Sequence, residues 1–281
     1  MNKNKLNIAI INLMPDLADY HQELEAYFKP FTDDVELHWL KLQTKQYATE
    51  FCHLLDTTYR DYHSLDNALP TIDGLIITGA PVELLDFEQV AYWDELNLII
   101  RQQMANDGSL LGICWGALAV GKLLGVEKRT LSEKLSGVYT LNHVAEQTKF
   151  QSFPPTLFMP ISTRACFVDQ QIKELIKRHK LKSIMQTSDN LNVVVQTTDD
   201  KHLLCLGHPE YGPMRLTNEW HRDRKKNPNT KPPIGIDPEV PDDFWRAHSK
   251  LLLNLWVENI KNKSLVLLTS KRREADFVEV I

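Results

Sequence analysis

Cys114 and the pair His208 and Glu210 are the side chains whose types and settings could do covalent chemistry in this chain. The cysteine lies in Ser-Leu-Leu-Gly-Ile-Cys114-Trp-Gly-Ala-Leu-Ala-Val, where an apolar strand pattern meets a sulfur and turns at once into an apolar helical pattern. That is the form of a nucleophile elbow. A sharp strand-to-helix turn holds its residue in an uncommon backbone conformation and lifts the side chain into a pocket, while Gly112 and Gly116 relieve the crowding on either side. The positive end of the helix favours thiolate over thiol. Taken alone, a free cysteine is more often a small buried hydrophobe. A second motif changes that balance. His208-Pro209-Glu210 follows the apolar segment 203–206, and in extended chain alternate residues share a side, so imidazole and carboxylate emerge together. A carboxylate so placed fixes the imidazole tautomer and stabilises the imidazolium, as the third member of a triad does. Pro209 suits a strand terminus, having no N–H for a ladder.

These groups need a scaffold, and the chain supplies a regular one. Residues 6–14 form an apolar run that reads as a strand buried on both faces, 16–29 carry Leu17, Tyr20, Leu24 and Tyr27 at helical spacing, and 35–42 alternate as a second strand. A third strand over 71–78 opens into Gly79-Ala-Pro81, and a helix over 89–105 precedes the strand that delivers Cys114. The alternation predicts a doubly wound α/β fold, mainly parallel with helices on both faces and its active site beyond the carboxyl ends of the strands. After the elbow helix, short strands are expected over 137–141, 183–187, 191–197 and 202–206, with a charged amphipathic helix over 169–179, as an antiparallel extension or flank. A helix is expected over 211–224. Segment 227–241 holds five of the fourteen prolines and is read as an ordered loop near the pocket or a cover. A closing helix spans 243–261. Residues 1–263 read as one domain and 264–281 as a loosely attached tail.

Composition excludes several classes. With 281 residues, 43% of them hydrophobic, the chain can bury a large core, and a net charge of −5 gives no footprint for nucleic acid. The basic runs 222–226 and 271–273 are short and read as solvated surface. The four cysteines show neither metal spacing nor a disulfide pattern, no secretory leader is evident, and no apolar run reaches the eighteen residues of a membrane span. A reduced, cytoplasmic protein acting on small molecules without a bound metal or cofactor is the expectation.

The sequence resembles the homoserine O-acyltransferase family of methionine biosynthesis, a branch of the class I glutamine amidotransferase-like (flavodoxin-like) fold. Asn12-Leu-Met-Pro15, Thr78-Gly-Ala-Pro-Val-Glu83, Phe87 with Val90 to Trp93, Cys114-Trp115, Glu133-Lys-Leu-Ser-Gly-Val-Tyr139, His208-Pro-Glu-Tyr211 and Trp245-Arg-Ala-His248 carry the resemblance. It implies that Cys114 forms an acyl thioester, that His208 is the general base and that Glu210 supports it. Lys134, Ser162, Glu219 and Arg222 match positions at the substrate site, where an Arg222 fork suits a carboxylate and Glu219 an ammonium. Taken alone, Glu219 and Arg222 would be an ordinary surface pair, Lys134 solvated charge and Ser162 a turn residue. Glu83 looks like the acetyl-specific form, because a carboxylate there would repel the free carboxylate of succinyl-CoA. Backbone N–H groups of Ala80 and Trp115 are the expected oxyanion donors. The resemblance thus implies acetyl-CoA as donor substrate, ping-pong transfer, L-homoserine as acceptor ahead of L-serine (which would feed cysteine synthesis), and allows a homodimer. A glutamine amidotransferase or γ-glutamyl hydrolase is the alternative on the same triad. The chain departs from the family by starting about thirty residues later than typical members and by reading Asp16-Leu-Ala-Asp-Tyr-His-Gln-Glu after Asn-Leu-Met-Pro, where lysines and a Glu-Thr-Glu-like helix are usual.

Overall fold

The computed structural model describes residues 5–62, 72–144, 153–240 and 242–278, with side chains described through 263. Ten strands of the described residues form one sheet, in the order β3-β2-β1-β4-β5-β10-β9-β8-β6-β7. Its first six members run parallel: β3 (Arg60–Asp61), β2 (Val35–Lys41), β1 (Leu6–Ile11), β4 (Gly74–Ile77), β5 (Ser109–Ile113) and β10 (His202–Cys205). The other four continue it antiparallel: β9 (Asn192–Thr197), β8 (Leu181–Gln186), β6 (Lys128–His143) and β7 (Thr156–Phe167). The doubly wound core and its antiparallel extension are therefore a single surface.

Every residue of β4, β5 and β10 is buried, so the sheet is covered on both faces there, which explains their unbroken apolar runs. Helix α1 (Leu17–Phe28) contributes Leu17, Tyr20, Leu24 and Tyr27 as its spacing requires. Its Tyr27 hydroxyl donates to the Ser249 carbonyl of α7 (Arg246–Val278), whose Trp256 indole donates to the Leu110 carbonyl of β5. Helices α2 (Cys52–Thr58), α3 (Trp93–Ala105), α4 (Trp115–Leu123), α5 (Asp169–Lys177) and α6 (Arg215–Lys226) complete the cover. The chain builds β2 and β3 on one side of β1 and then crosses to β4 on the other. That reversal creates a switch point, and the segments leaving β1 and β4, at Met14 and Gly79, open at its carboxyl edge.

Several boundaries differ from expectation. The strand expected over 137–141 is the last part of the 16-residue β6, whose first half reads Lys-Arg-Thr-Leu-Ser-Glu-Lys and is largely exposed, so no apolar alternation marks it. Strand β7 is an addition to the expected set, because Pro160 lies within it and argues locally against a strand. The structure shows why proline is tolerated: β7 is the sheet edge and pairs only with β6. The helix expected over 211–224 begins only at Arg215, and the closing helix runs beyond 261 to Val278. Segment 227–240 is ordered against the sheet. Ile234 bridges Gly137, accepting from the Val138 N–H at 2.8 Å and donating to the Ser136 carbonyl at 2.9 Å. A side chain at Gly137 would meet the Ile234 backbone at 2.3 Å, so the bridge requires glycine there.

Candidate active site

Cys114 stands between β5 and α4 with φ 51° and ψ −113°, a left-handed conformation that a non-glycine residue adopts only when its surroundings impose it. Those surroundings are visible. A Cβ on Gly116 would lie 2.1 Å from the Ile77 carbonyl oxygen, and one on Gly112 would lie 2.6 Å from the Ala117 backbone, so both glycines let the elbow close onto β4 and α4. The Cys114 N–H donates to the Cys205 carbonyl at 2.7 Å, which ties the elbow to the end of β10. Trp115 is buried among Phe87, Tyr92 and Trp93, with ring centroids 5.8, 5.9 and 6.4 Å away, so the aromatic motif around residue 90 anchors the start of α4. As the first residue of that helix, Trp115 has no intrahelical acceptor for its N–H.

Because β10 lies beside β5, the three residues after Cys205 carry His208 to the sulfur. Its ring hydrogen-bonds Cys114 on one side, and on the other its Nδ1 lies 2.7 Å from Glu210 Oε1. His208 and Glu210 are both fully enclosed. Burial alone would drive the imidazole toward its neutral form. The charges of Cys114 and Glu210, with the hydrogen bonds both accept, prevail and raise its pKa well above the ordinary value. The surroundings thus bias the imidazole toward its protonated form. Tyr211 stacks on it at 4.0 Å between centroids, which fixes its plane. Of the other cysteines, burial pushes Cys166 up to about 11 and Cys205 well above the usual thiol range, so neither supplies a thiolate at neutral pH.

Tyr20 of α1 completes the arrangement, and nothing in the sequence singles it out as a site residue. Its hydroxyl donates to the same Glu210 Oε1 that holds His208. Helical spacing correctly marks Tyr20 as buried, but only the packing of α1 beneath the 208–211 turn shows what its oxygen meets. Nearby, Arg215 is buried with Nε 3.1 Å from Glu23 and with Asp16 on its Nη1, its guanidinium lying over the Tyr20 and Tyr211 rings. Burial pushes the Glu23 carboxyl up to about 7; Arg215 opposes this and the charge of Glu210 adds to it. The Asp16-to-Glu23 stretch thus forms a layer packed against Glu210 and Tyr211.

On the opposite wall the four expected substrate-site residues converge. Glu219 of α6 is buried and accepts from Tyr211 at 2.6 Å and from Ser162, with the Lys134 ammonium 3.7 Å away. Burial works against its charge. Lys134, His208 and the two hydroxyl donors outweigh that and hold its pKa below the usual carboxylate value. Lys134 is not plain solvated charge: it also pairs with Asp223 at 2.7 Å. Ser162 is not in a turn but within β7, where its carbonyl faces the Cys114 thiol at 3.8 Å. Arg222 contacts Asp223 through Nε at 3.2 Å, leaving its terminal nitrogens for a ligand. Asp223 is a further residue that sequence reasoning missed. A cavity of about 70 Å³ gathers Gly79, Ala80, Glu83, Cys114, His208 and Arg222, together with Lys134, Ser162 and Glu219. Among the described residues no group of three His, Cys, Asp or Glu side chains is placed to hold a metal ion, and no helix is long and apolar enough to cross a membrane.

A strained cysteine at the carboxyl end of a central strand of a doubly wound sheet, backed by a His-Glu pair just beyond the adjoining strand, defines a class I glutamine amidotransferase-like fold. Solved structures agree: a glutamine amidotransferase from Thermotoga maritima superposes with a TM-score of 0.63 at 17% identity, covering 92% of this chain and 98% of that one. A glutamine amido transferase from Methylobacillus flagellatus gives 0.51 at 15% identity, covering 91% and 92%. Within that fold, residues 2–264 match the homoserine O-succinyltransferase family, and the chain belongs to it. Curated relatives include a homoserine O-succinyltransferase from Vibrio vulnificus, 34% identical over 90% of this chain and 81% of that protein. They also include homoserine O-acetyltransferases from Agathobacter rectalis, 31% identical over 91% and 83%, and Petrotoga mobilis, 34% identical over 90% and 82%. The family is one of acyltransferases, with both acyl names among these relatives.

Proposed function

We propose that this enzyme moves an acetyl group from acetyl-CoA to the hydroxyl of L-homoserine through a thioester on Cys114. The observation that carries the reading is the Cys114, His208 and Glu210 arrangement, in which the imidazole shares the cavity with the sulfur and is held from behind by a buried carboxylate. In the resting site a thiolate attacks the thioester carbonyl. The tetrahedral oxyanion is met by backbone N–H groups, those of Trp115 and Ala80 in this reading, each worth about 3 kcal/mol. CoA leaves with the imidazolium proton, and acetyl-Cys114 remains. Having given its proton to CoA, His208 is neutral. It is then a base when the acceptor hydroxyl arrives. His208 takes the hydroxyl proton as oxygen attacks the thioester, and collapse releases O-acetylhomoserine and restores the thiolate–imidazolium pair.

Arg222 is assigned to the acceptor carboxylate. The ammonium faces Glu219, whose charge the surrounding donors already maintain. Glu83 supports acetyl over succinyl, since it lines the small cavity beside Cys114 and its backbone carbonyl accepts from Lys128 at 2.9 Å. A succinyl carboxylate entering there would meet like charge. Supplying acetyl-CoA and succinyl-CoA, each with L-homoserine or L-serine, tests the reading. CoA release with acetyl-CoA and homoserine, a transient acetylated enzyme by intact mass, and loss of both in Cys114→Ala are expected. Glu83→Gly should shift preference toward succinyl-CoA. Preference for succinyl-CoA in the unaltered enzyme would remove the Glu83 argument, and CoA release surviving in Cys114→Ala would remove the mechanism.

A further inference from the structure

The cavity around Cys114, at about 70 Å³, is far too small for a whole CoA thioester. The body of any CoA thioester must lie outside it. The neighbouring groove has a volume of about 760 Å³, within the range of small-molecule sites, and shares Pro15, Pro81, Glu83, Lys134 and Arg222 with the catalytic cavity. A ligand can therefore occupy both at once.

Charge and chemistry distinguish the far part of this groove. Arg164 of β7 and Lys226 of α6 line it, and among the described residues neither makes an ion pair or a side-chain hydrogen bond. Lys231 lines it too, paired only with Glu133 at 3.4 Å in an exposed bridge of little strength. Five cations and three carboxylates, Glu83, Glu133 and Asp223, line the groove, so it is positive in a chain of net charge −5, and Arg164 and Lys226 are its cations without a carboxylate partner among the described residues. Trp220 lines the same groove, its indole N–H fixed to the Thr230 carbonyl at 3.1 Å and the Arg224 guanidinium 4.8 Å from the ring. An immobilised indole beside uncompensated arginine and lysine recognises an aromatic base linked to phosphates.

We propose that this groove seats the phosphorylated adenine nucleotide of the acyl-CoA donor, with Arg164, Lys226 and Lys231 taking its phosphates and Trp220 its base. The inference rests on the acyl-CoA reading above and assigns the donor a place in it. The pantetheine arm then passes the wall shared by the two cavities to bring the thioester to Cys114. A carrier protein bearing the same arm would dock on an open surface and would leave a concave, nucleotide-sized groove unused.

The test compares acetyl-CoA with S-acetyl-N-acetylcysteamine, which keeps the thioester and lacks the nucleotide. Arg164→Glu combined with Lys226→Glu should raise the KM for acetyl-CoA by about tenfold or more, and by a factor at least several times larger than for the truncated thioester. Adenosine 3′,5′-bisphosphate should inhibit the unaltered enzyme competitively against acetyl-CoA and the double variant much less. Lys173→Glu on the exposed face of α5 controls for a general charge effect, and thermal melting reports folding. Equal KM changes for both donors, or no change with acetyl-CoA, would overturn the groove assignment while leaving acyl transfer intact. Turnover only with a carrier-protein thioester would also overturn it. If the unaltered enzyme turned over neither small thioester, the acyl-CoA reading would fail and this inference with it.

Discussion

Replacing Gly116 by alanine separates the geometry of the elbow from its chemistry, because it touches no reacting atom. The added Cβ would lie 2.1 Å from the Ile77 oxygen and 2.8 Å from both the Ile77 carbon and the Thr78 oxygen. Ordinary non-bonded contacts sit near 3.5 Å, so the start of α4 would have to withdraw from β4 by more than about 1 Å. These neighbours are backbone atoms of a buried strand and cannot rotate away. Overpacking of this kind costs about 1–3 kcal/mol, and a displacement of about 1 Å at the chemistry costs about 10²-fold in rate. Gly116→Ala should therefore lose about two orders of magnitude in kcat/KM and several degrees in Tm. The acetyl-enzyme burst, followed by rapid quench and intact mass without acceptor, should slow in parallel. Gly125→Ala is the companion variant. Its φ of 89° makes alanine strained, yet nothing lies within 4 Å of the new Cβ, so it should lower Tm while kcat/KM stays near that of the parent. A Gly116→Ala enzyme with parental Tm and kcat/KM within a few-fold of the parent would refute the close approach of elbow and strand.

Three further outcomes follow from the buried polar groups. Tyr20→Phe removes one donor from the Glu210 carboxylate and should cost about 1.5–3 kcal/mol, seen as a Tm drop of several degrees. Its kcat should fall less than in Glu210→Gln, since His208 keeps its own bond to Oε1; an unchanged Tm would show that the hydroxyl contributes nothing. Burial holds His202 down to about 4, so its protonation is resisted in the native state alone. Stability should be lost as pH falls from about 6.5 toward 4, by roughly 3 kcal/mol from this residue, and His202→Gln should flatten that limb of the denaturant-derived profile. For Glu23 the sign is opposite. With its carboxyl pushed up to about 7, the native state binds more protons than the unfolded chain between about 4.5 and 7, so stability falls as pH rises through that window. Glu23→Gln should remove one proton from the slope there, and an identical slope would contradict the assignment.

The parallel half of the fold and the elbow at Cys114 were legible because both rest on local pattern. Residues 6–14, 71–78 and 109–113 are dominated by apolar side chains, and the glycines beside Cys114 announce a turn too tight for side chains. His208 and Glu210 were legible for the same reason, two residues apart at a strand end. What stayed hidden depends on tertiary neighbours. Strand β7 contains a proline that is harmless only at an edge, and the first half of β6 is charged because its surroundings are largely solvent and groove. Tyr20 reads as one more aromatic on a helix face, and nothing local says that its oxygen meets a carboxylate 190 residues away. Asp223 and Arg164 sit in charged or polar surroundings that look like any solvated face. Only the fold brings one beside Lys134 and the other to the rim of a groove.

The elbow and the catalytic imidazole are carried by adjacent strands of one ladder, Ile113 registered with Cys205 and the Cys114 N–H bonded to the Cys205 carbonyl. Their separation is thus set largely by main-chain pairing, to which the His208 N–H adds a bond to the Pro160 carbonyl at 2.8 Å. Side chains that line the cavity come from other places: the 79–83 turn, β6, β7 and α6. Proton transfer and selectivity are held by separate parts of the frame. Glu83 and Arg222 line the cavity without a hydrogen bond to Cys114 or His208, so this architecture can be retuned to a new acyl group or a new alcohol at such positions with its ladder unchanged.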